Sequence, residues 1–182
     1  MPRYFTFLRA INVGGHVVKM DQLRKIFESL GFSNVETFIA SGNVIFATPS
    51  KNIKALEKRI QQTLRDALGY DVATFIRTEA ELNAIATYKP FSQSKLDGAV
   101  ALNIVFLADA LDATAEKRTL ALRTDIDELH VNGREIYWLC RKKQSESTIS
   151  NAVFKKALGV PGTVRGAGTI KKMAEKYACS SS

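Results

Sequence analysis

The sequence has few of the residues on which metal, disulfide and acid–base chemistry depend. Its 182 residues include two cysteines and two histidines. Cys140 and Cys179 are too far apart for a metal-ligand motif, and two thiols do not make a disulfide framework. His16 and His130 have no carboxylate or cysteine at a recognisable catalytic spacing. We therefore expect two free thiols, no metal, no cofactor and no catalytic residues.

Long apolar runs are also missing. No stretch reaches the roughly 18 apolar residues of a membrane span. Met1-Pro2-Arg3 leads directly into a strand-like segment, without the apolar core of a signal peptide. With 46% hydrophobic and 24% charged residues, the composition is typical of a soluble globular protein. The sequence predicts a cytoplasmic protein with no membrane partner.

Basic residues are concentrated near the C-terminus. The chain has a net charge of +8, and residues 134–182 carry 10 bases against 3 acids. A basic region of this size attracts a polyanion or a phosphate ligand. It is also a common way to keep a protein soluble, so the charge alone does not decide between these two interpretations.

The first part of the chain has the periodicities of a β-α-β-β-α-β unit. After an aromatic strand, the apolar residues of the next segment have the spacing of an amphipathic helix. Two short strands around Ser41-Gly42-Asn43, a sequence that favours a hairpin turn, precede a second helix at about residues 52–68 and a final strand. This order predicts a ferredoxin-like domain over residues 1–78, an antiparallel sheet with both helices on one face.

A helix and a linker at residues 79–98 separate this domain from a second one. The helix should end before Lys89-Pro90, and SQSKLDG is interpreted as a loop. Residues 99–182 then repeat the order β-α-β-β-α, with a hairpin at Asn132-Gly133 and a terminal helix at about residues 169–177 in place of the final strand. The predicted fold class is α+β in two lobes, the second with a basic C-terminal region.

Several segments together resemble a known family. FLRAINVGG, MDQLRKIFESLGF, FIASGNVIF, KPF, NGREIYW and ALGVPGTVRGAGTIKKM resemble, in order, the blocks of the domain-of-unknown-function 1697 family of uncharacterised, mainly bacterial proteins. Arg165 and Thr169 fit the family pattern. Ala10 stands where the family usually has glycine, and Gly166-Ala167-Gly168 replaces an Asn-Trp-x segment. The resemblance implies family membership and little about activity.

The loop after the first strand is the first candidate binding site. Gly14-Gly15 is not a P-loop, because four residues separate it from the next helix and no Gly-Lys-Ser/Thr follows. The glycines can simply supply positive φ, with Asn12 bonding the loop's own backbone. Alternatively, the planar guanidinium of Arg9 binds a carboxylate or phosphate. A small-molecule site in a cleft between the two domains would gather residues from this loop, the hairpin and the C-terminal segment: Arg9, Asn12, Gly14, Gly15, Ser41, Asn43, Thr163, Arg165 and Thr169.

The segment GTVRGAGTIKKM is the second candidate. A helix that begins near Thr169 would present free N–H groups beside Arg165, Lys171 and Lys172, which together suit an anion. The alternative is a solvated basic helix after a flexible turn. Either interpretation is compatible with the sequence.

Two functions from different classes follow. The first, which we favour at this stage, is a non-catalytic binding module for nucleic acid or another polyanion. Its phosphate contacts would be Arg141, Lys142, Lys143, Lys155, Lys156, Lys171 and Lys172. The strands lack the aromatic motif of RNA-recognition domains. The second is an anionic small-molecule or enzymatic site in the cleft between the domains, where pockets are common.

Overall fold

A computed structural model of the protein describes residues 1–9, 11, 15 and 17–178, and only the main chain of residues 41, 144, 151 and 178. The chain divides into two compact units, residues 1–84 and residues 85–182. Each unit contains one four-stranded antiparallel sheet. The predicted α+β fold in two lobes is therefore confirmed.

The N-terminal unit has the predicted β-α-β-β-α-β order. Its sheet has the strand order β2-β3-β1-β4, with every neighbouring pair antiparallel. This is the ferredoxin-like arrangement. Its elements are β1 (Arg3–Leu8), α1 (Met20–Ser29), β2 (Ser33–Phe38), β3 (Ala40–Ala47), α2 (Ile53–Leu68) and β4 (Thr74–Thr78).

The two helices of this unit bury their apolar stripes against one face of the sheet. Phe27 of α1 and Ile60 of α2 are fully buried in a core shared with Tyr4 and Phe46 of the sheet. Local signals set the helix ends: the Asn52 side chain accepts the Ala55 N–H and caps α2. Gly69 ends α2 in the left-handed conformation, with φ of 83°.

The hairpin between β2 and β3 differs from the prediction. Ser41-Gly42-Asn43 lies within β3, and Ile39 alone connects the two strands, with φ of 66°. The pairing of β2 with β3 shifts register after Thr37↔Val44. Residues 41–43 therefore form a bulge in β3. The prediction of a turn at Ser41-Gly42-Asn43 was wrong, because a β-branched residue takes the left-handed conformation that normally favours glycine or asparagine.

The C-terminal unit repeats this order and adds helices to it. Its sheet has the order β6-β7-β5-β8 and is again antiparallel throughout. A 3-10 helix, Gln144–Glu146, follows β7. The other elements are α3 (Glu79–Thr87), which begins in the N-terminal unit, α4 (Gln93–Asp97), β5 (Ala101–Leu107), α5 (Ala113–Leu120), β6 (Asp127–Asn132), β7 (Glu135–Cys140), α6 (Asn151–Leu158), β8 (Gly162–Gly166) and α7 (Ala167–Ala178).

The two faces of the C-terminal sheet carry different elements. One face packs Val105 and Trp138 against Phe154 and Leu158 of α6 in an apolar core. The first turn of α7 lies against the other face, beside Ile104 and its cross-strand partner Tyr137. The sheet therefore lies between α6 and the first turn of α7.

Two elements of this unit were not predicted. SQSKLDG contains α4, which the Ser92 side chain caps by accepting the Lys95 N–H, so the prediction of a loop was wrong. GTVRG forms β8 beside β5, so the final strand of the β-α-β-β-α-β order is present and precedes the predicted terminal helix. Its two glycines have low β propensity. The unpaired side of β5, rather than local preference, explains this strand.

No helix within the described residues is long and apolar enough to cross a membrane. No group of three or more histidine, cysteine, aspartate or glutamate side chains in the same part of the chain is placed to hold a metal ion.

Candidate functional site

A cavity of about 720 Å³ lies within the C-terminal unit. We call it the α7 cavity. Its floor is Leu102 and Ile104 of β5 and Tyr137 of β7. Its walls come from three segments: residues 85–90, Gln93 and Leu96 of α4, and Ala167, Gly168 and Lys171 of α7. The volume falls in the range of small-molecule sites, and an apolar floor with a few polar groups is typical of them.

The charged groups around the α7 cavity are of one sign. Among its lining residues, all of which the structure describes, Lys89 and Lys171 are charged and none is acidic. Ala167 and Gly168 open α7, a helix of 12 residues. The first N–H groups of a helix have no acceptor inside it, and its dipole makes this end positive. Both features favour an anionic ligand.

Two tyrosines give the cavity an aromatic side. The ring centroids of Tyr88 and Tyr137 are 5.1 Å apart at an interplanar angle of 46°. The Tyr88 hydroxyl is 2.8 Å from His130 Nε2. His130 is half-buried on this face of the sheet. It therefore holds the ring of Tyr88 by a hydrogen bond and by ring contact.

Thr163 and Arg165 lie on the same face of the sheet as the cavity floor. Arg165 is directly opposite Ile104, and cross-strand partners point to the same face. Its Nη1 donates to Thr163 Oγ1 at 2.8 Å and to the carbonyl of Val164 at 2.9 Å. Loss of surrounding water lowers the pKa of Arg165 to about 10, which still leaves the guanidinium charged at neutral pH. Thr169 lies in the first turn of α7 and is half-buried.

Backbone conformation and packing explain part of the sequence of the N-terminal loop. Gly15 has φ of 81°, which glycine adopts at no steric cost. Ile11 is buried, and its carbonyl accepts the Tyr70 hydroxyl at 2.6 Å. The main-chain N–H of Arg9 donates to Ala73, which extends the pairing of β1 with β4. Asn12 and Gly14 lie outside the described residues.

Asn43 is buried, and its side chain stabilises the bulge in β3 by a hydrogen bond. Its Nδ2 donates to the carbonyl of Phe38 at 3.0 Å. The side chain of Ser41 lies outside the described part of the chain. Arg9, Ser41 and Asn43 belong to the N-terminal unit, whereas Thr163, Arg165 and Thr169 belong to the C-terminal unit. A common site for all of them stays a prediction.

The structure distributes the seven predicted phosphate contacts over separate elements of the C-terminal unit. Arg141 Nη2 is 3.2 Å from the Glu128 carboxylate, so a charge partner within the chain already neutralises it in part. Lys142 and Lys143 are exposed after β7. Lys155 and Lys156 lie in the last turn of α6, where a cation stabilises the helix end. Lys171 and Lys172 lie on α7, whose first turn is on the opposite face of the sheet from α6.

Sequence analysis missed most of the α7 cavity. Lys171 and the segment that opens α7 were identified, because a glycine-rich stretch before a basic helix is a visible pattern. Tyr88, Ile104 and Tyr137 were not, because they come from three separate segments with no characteristic spacing. The only available signal was that Lys89-Pro90 stops a helix directly after an aromatic residue.

Fold and site together define an α+β protein of two ferredoxin-like units, the second of which carries additional helices and a cavity. The family model described as "Protein of unknown function (DUF1697)" matches residues 1–137. The chain belongs to this family, as its sequence segments suggested. The C-terminal block at residues 157–173 lies beyond the matched range.

A solved structure supports the fold over both units. The chain is similar to the conserved bacterial protein SP0830 from Streptococcus pneumoniae, with 24% sequence identity and a TM-score of 0.74. The similarity covers 96% of this chain and 97% of that one. No curated protein matches the chain significantly. The comparisons therefore define the family and the fold, and they give no information about activity.

Proposed function

We propose that this protein binds a small anionic molecule with an apolar or aromatic part in the α7 cavity. The main evidence is the charge of the lining residues: Lys89 and Lys171 line a cavity that has no carboxylate among its lining residues. Both lysines are exposed, so they attract an anion as surface charges do, and salt weakens this attraction. The first turn of α7 adds N–H donors to this attraction.

The apolar floor selects the rest of the ligand. Ile104 and Tyr137 are nearly fully buried, so the apolar surface open to a ligand is mainly that of half-buried Leu102 and of Tyr88, which has 37% of its surface exposed. Burying an apolar or aromatic group against them contributes about 25 cal/mol per Å² removed from water. A bare inorganic anion would leave this surface unused. The preferred ligand class is therefore an organic anion rather than phosphate or sulfate.

The probe for this proposal is 8-anilinonaphthalene-1-sulfonate, an aromatic anion whose fluorescence rises in apolar sites. Titration should show saturable binding to the folded protein. Lys171→Gln should weaken it by about five- to tenfold, since one charge contact of about 1 kcal/mol corresponds to that range. Lys172→Gln is the matched control, because Lys172 is exposed on the same helix and does not line the cavity.

A second pair of variants tests the location of the site. A side chain at Gly168 would meet no atom within 4 Å of its Cβ, and Gly168 lines the cavity. Gly168→Phe should occupy part of the cavity and weaken probe binding, whereas Gly168→Ala should preserve it. Both replace glycine in a helix and should not lower the melting temperature. Equal probe affinity in the Lys171→Gln and Lys172→Gln proteins, or unchanged binding by Gly168→Phe, would rule out this site.

The polyanion hypothesis makes a different prediction for the same protein. Binding to single-stranded DNA through several lysines should give a slope of log K against log salt of roughly −0.7 per phosphate contact. Replacing Lys142 and Lys143 by alanine should flatten that slope by about one to two units. A steep slope with this response would favour a nucleic-acid role over the small anion. Because the predicted contacts lie on different elements and on both sides of one sheet, we favour the small anion.

A further inference from the structure

Strand β6 is an edge of the C-terminal sheet, and alternate main-chain groups along it point outward. The Arg141 N–H donates to the Ile126 carbonyl at 2.8 Å, in register with the β6–β7 pairs. Bonded and non-bonded pairs alternate along an antiparallel ladder. Leu129↔Trp138 and Val131↔Ile136 are therefore non-bonded pairs. The N–H and C=O groups of Leu129 and Val131 face away from β7.

These outward groups border an open groove of about 490 Å³, which we call the β6 groove. It runs beside Glu128–Val131, four consecutive residues of the edge strand. Within the part of the chain that the structure describes, no hydrogen bond reaches the outward groups of Leu129 or Val131. The groove therefore presents main-chain donors and acceptors at the spacing of a strand.

In the edge strand β4 of the N-terminal unit, by contrast, side chains bond the outward main-chain groups. Its outward N–H groups at Ile76 and Thr78 donate to carboxylates, those of Glu57 at 3.2 Å and Glu81 at 2.8 Å. Such caps prevent another chain from pairing with an edge. In β6 the neighbouring carboxylate of Glu128 is instead held by Lys95 and Arg141. The β6 edge thus has no carboxylate cap among the described residues.

The walls of the β6 groove indicate what would fit it. Leu120 of α5 lies beside Leu129 and Val131 and offers apolar contact. The charged lining consists of three cations and two carboxylates: Lys95, Arg123, Arg141, Glu116 and Glu128. Arg123 is exposed and makes no ion pair among the described residues. A strand with apolar residues and at least one acid would complement this lining.

We propose that the β6 edge binds an extended, acidic segment of a partner protein, which adds as a fifth strand to the C-terminal sheet. Main-chain hydrogen bonds to Leu129 and Val131 would supply the affinity, and side chains on alternate positions would supply the specificity. Apolar residues of the segment would face Leu120, and an acidic residue would pair with Arg123. This site is separate from the α7 cavity and does not depend on it.

The test uses a fluorescein-labelled peptide of eight residues with threonine at every second position and valine or glutamate at the positions between, so that valine and glutamate face the same side of the added strand. Its anisotropy should rise in a saturable manner with wild-type protein. Val131→Pro should weaken binding at least tenfold, because it removes an outward N–H that β7 does not use, and proline is tolerated at such edge positions. Val131→Thr keeps the N–H and the branched side chain, and it should bind within about twofold of wild type.

A second measurement leaves the protein unchanged and so does not depend on how Val131→Pro folds. N-methylation of one alternate set of peptide residues removes the N–H groups that face β6 and should abolish binding. N-methylation of the other set should have little effect. If both methylated peptides bind like the parent, or if no peptide binds, strand addition at this edge is wrong.

The charge assignment has its own controls. The same peptide with lysine in place of glutamate should bind more weakly than the glutamate peptide, and Arg123→Gln should reduce the difference. Equal affinity for the two peptides would overturn the acidic partner. Self-association of the wild-type protein that Val131→Pro abolishes, without binding of any peptide, would assign the edge to a second copy of this chain and overturn the proposal.

Discussion

Removing the carboxylate of Asp127 should destabilise the C-terminal unit strongly. Asp127 is 1% exposed at the start of β6. Its Oδ1 accepts the indole N–H of Trp138 at 2.8 Å. Its Oδ2 accepts the hydroxyls of Thr124 and Ser147, each at 2.8 Å. Three donors from three segments thus converge on one buried acid.

The expected magnitude follows from what each donor does without its acceptor. The two hydroxyls can rotate toward other acceptors, whereas the indole N–H of Trp138 is fixed by the ring in a buried position. A buried unsatisfied donor costs about 1–3 kcal/mol, and a hydrogen bond to a charged group contributes about 1.5–3 kcal/mol. Asp127→Ala should therefore lower the free energy of unfolding by about 3–5 kcal/mol. Asp127→Asn keeps one acceptor and should lose less.

Urea unfolding followed by tryptophan fluorescence measures this change in the right place, because Trp138 is the only tryptophan. Asp125→Ala is the matched control: Asp125 is exposed two residues earlier, and its loss should change stability by less than about 0.5 kcal/mol. A double-mutant cycle with Trp138→Phe, followed by circular dichroism, should give a coupling of about 1.5–3 kcal/mol. A loss below about 1 kcal/mol for Asp127→Ala would refute the reasoning.

Two further predictions concern strain and thiol reactivity. Ile39→Gly should stabilise the protein by about 0.5–1 kcal/mol in thermal or urea unfolding, because it relieves a left-handed conformation in a residue that is 62% exposed. Ile39→Val keeps the branched side chain and should not stabilise the protein. A loss of stability in Ile39→Gly would contradict the assignment of strain. Burial raises the pKa of the Cys140 thiol to about 11, so in a Cys179→Ser protein iodoacetamide should label Cys140 slowly at pH 8 and faster as the pH approaches 11. Rapid labelling of the folded protein at pH 8 would show that the thiol is accessible.

Much of the fold was predictable because local signals agree with the tertiary structure. Helix α2 has an apolar stripe, a capping asparagine and a terminal glycine, and all three serve the same element. The hairpin at Gly133 likewise has the glycine that its turn requires, with φ of 61°. Where local preference and tertiary pairing disagree, as in β8 and at Ile39, tertiary pairing decides the structure. The hydrophobic periodicity of the sequence does not show where tertiary pairing will override local preference.

The candidate sites were less predictable than the fold, for a geometric reason. A cavity floor made of Ile104 and Tyr137 depends on which residues face each other across a ladder. That register is set by the whole sheet and not by spacing within one segment. The same holds for the β6 edge, whose outward groups are known only once its single pairing partner is known. Basic residues, in contrast, are visible in the sequence, which is why a polyanion was the first hypothesis.

The position of the α7 cavity follows from what the C-terminal unit adds to the shared β-α-β-β-α-β order. The α7 cavity has its floor in the sheet, but its walls are α4, the end of α3 and the start of α7, which lie outside that order. Wall residues such as Lys171 and Gly168 can therefore change without removing a core contact, whereas Ile104 cannot. Variation in ligand preference between proteins of this fold should accordingly concentrate in the walls, at little cost in stability.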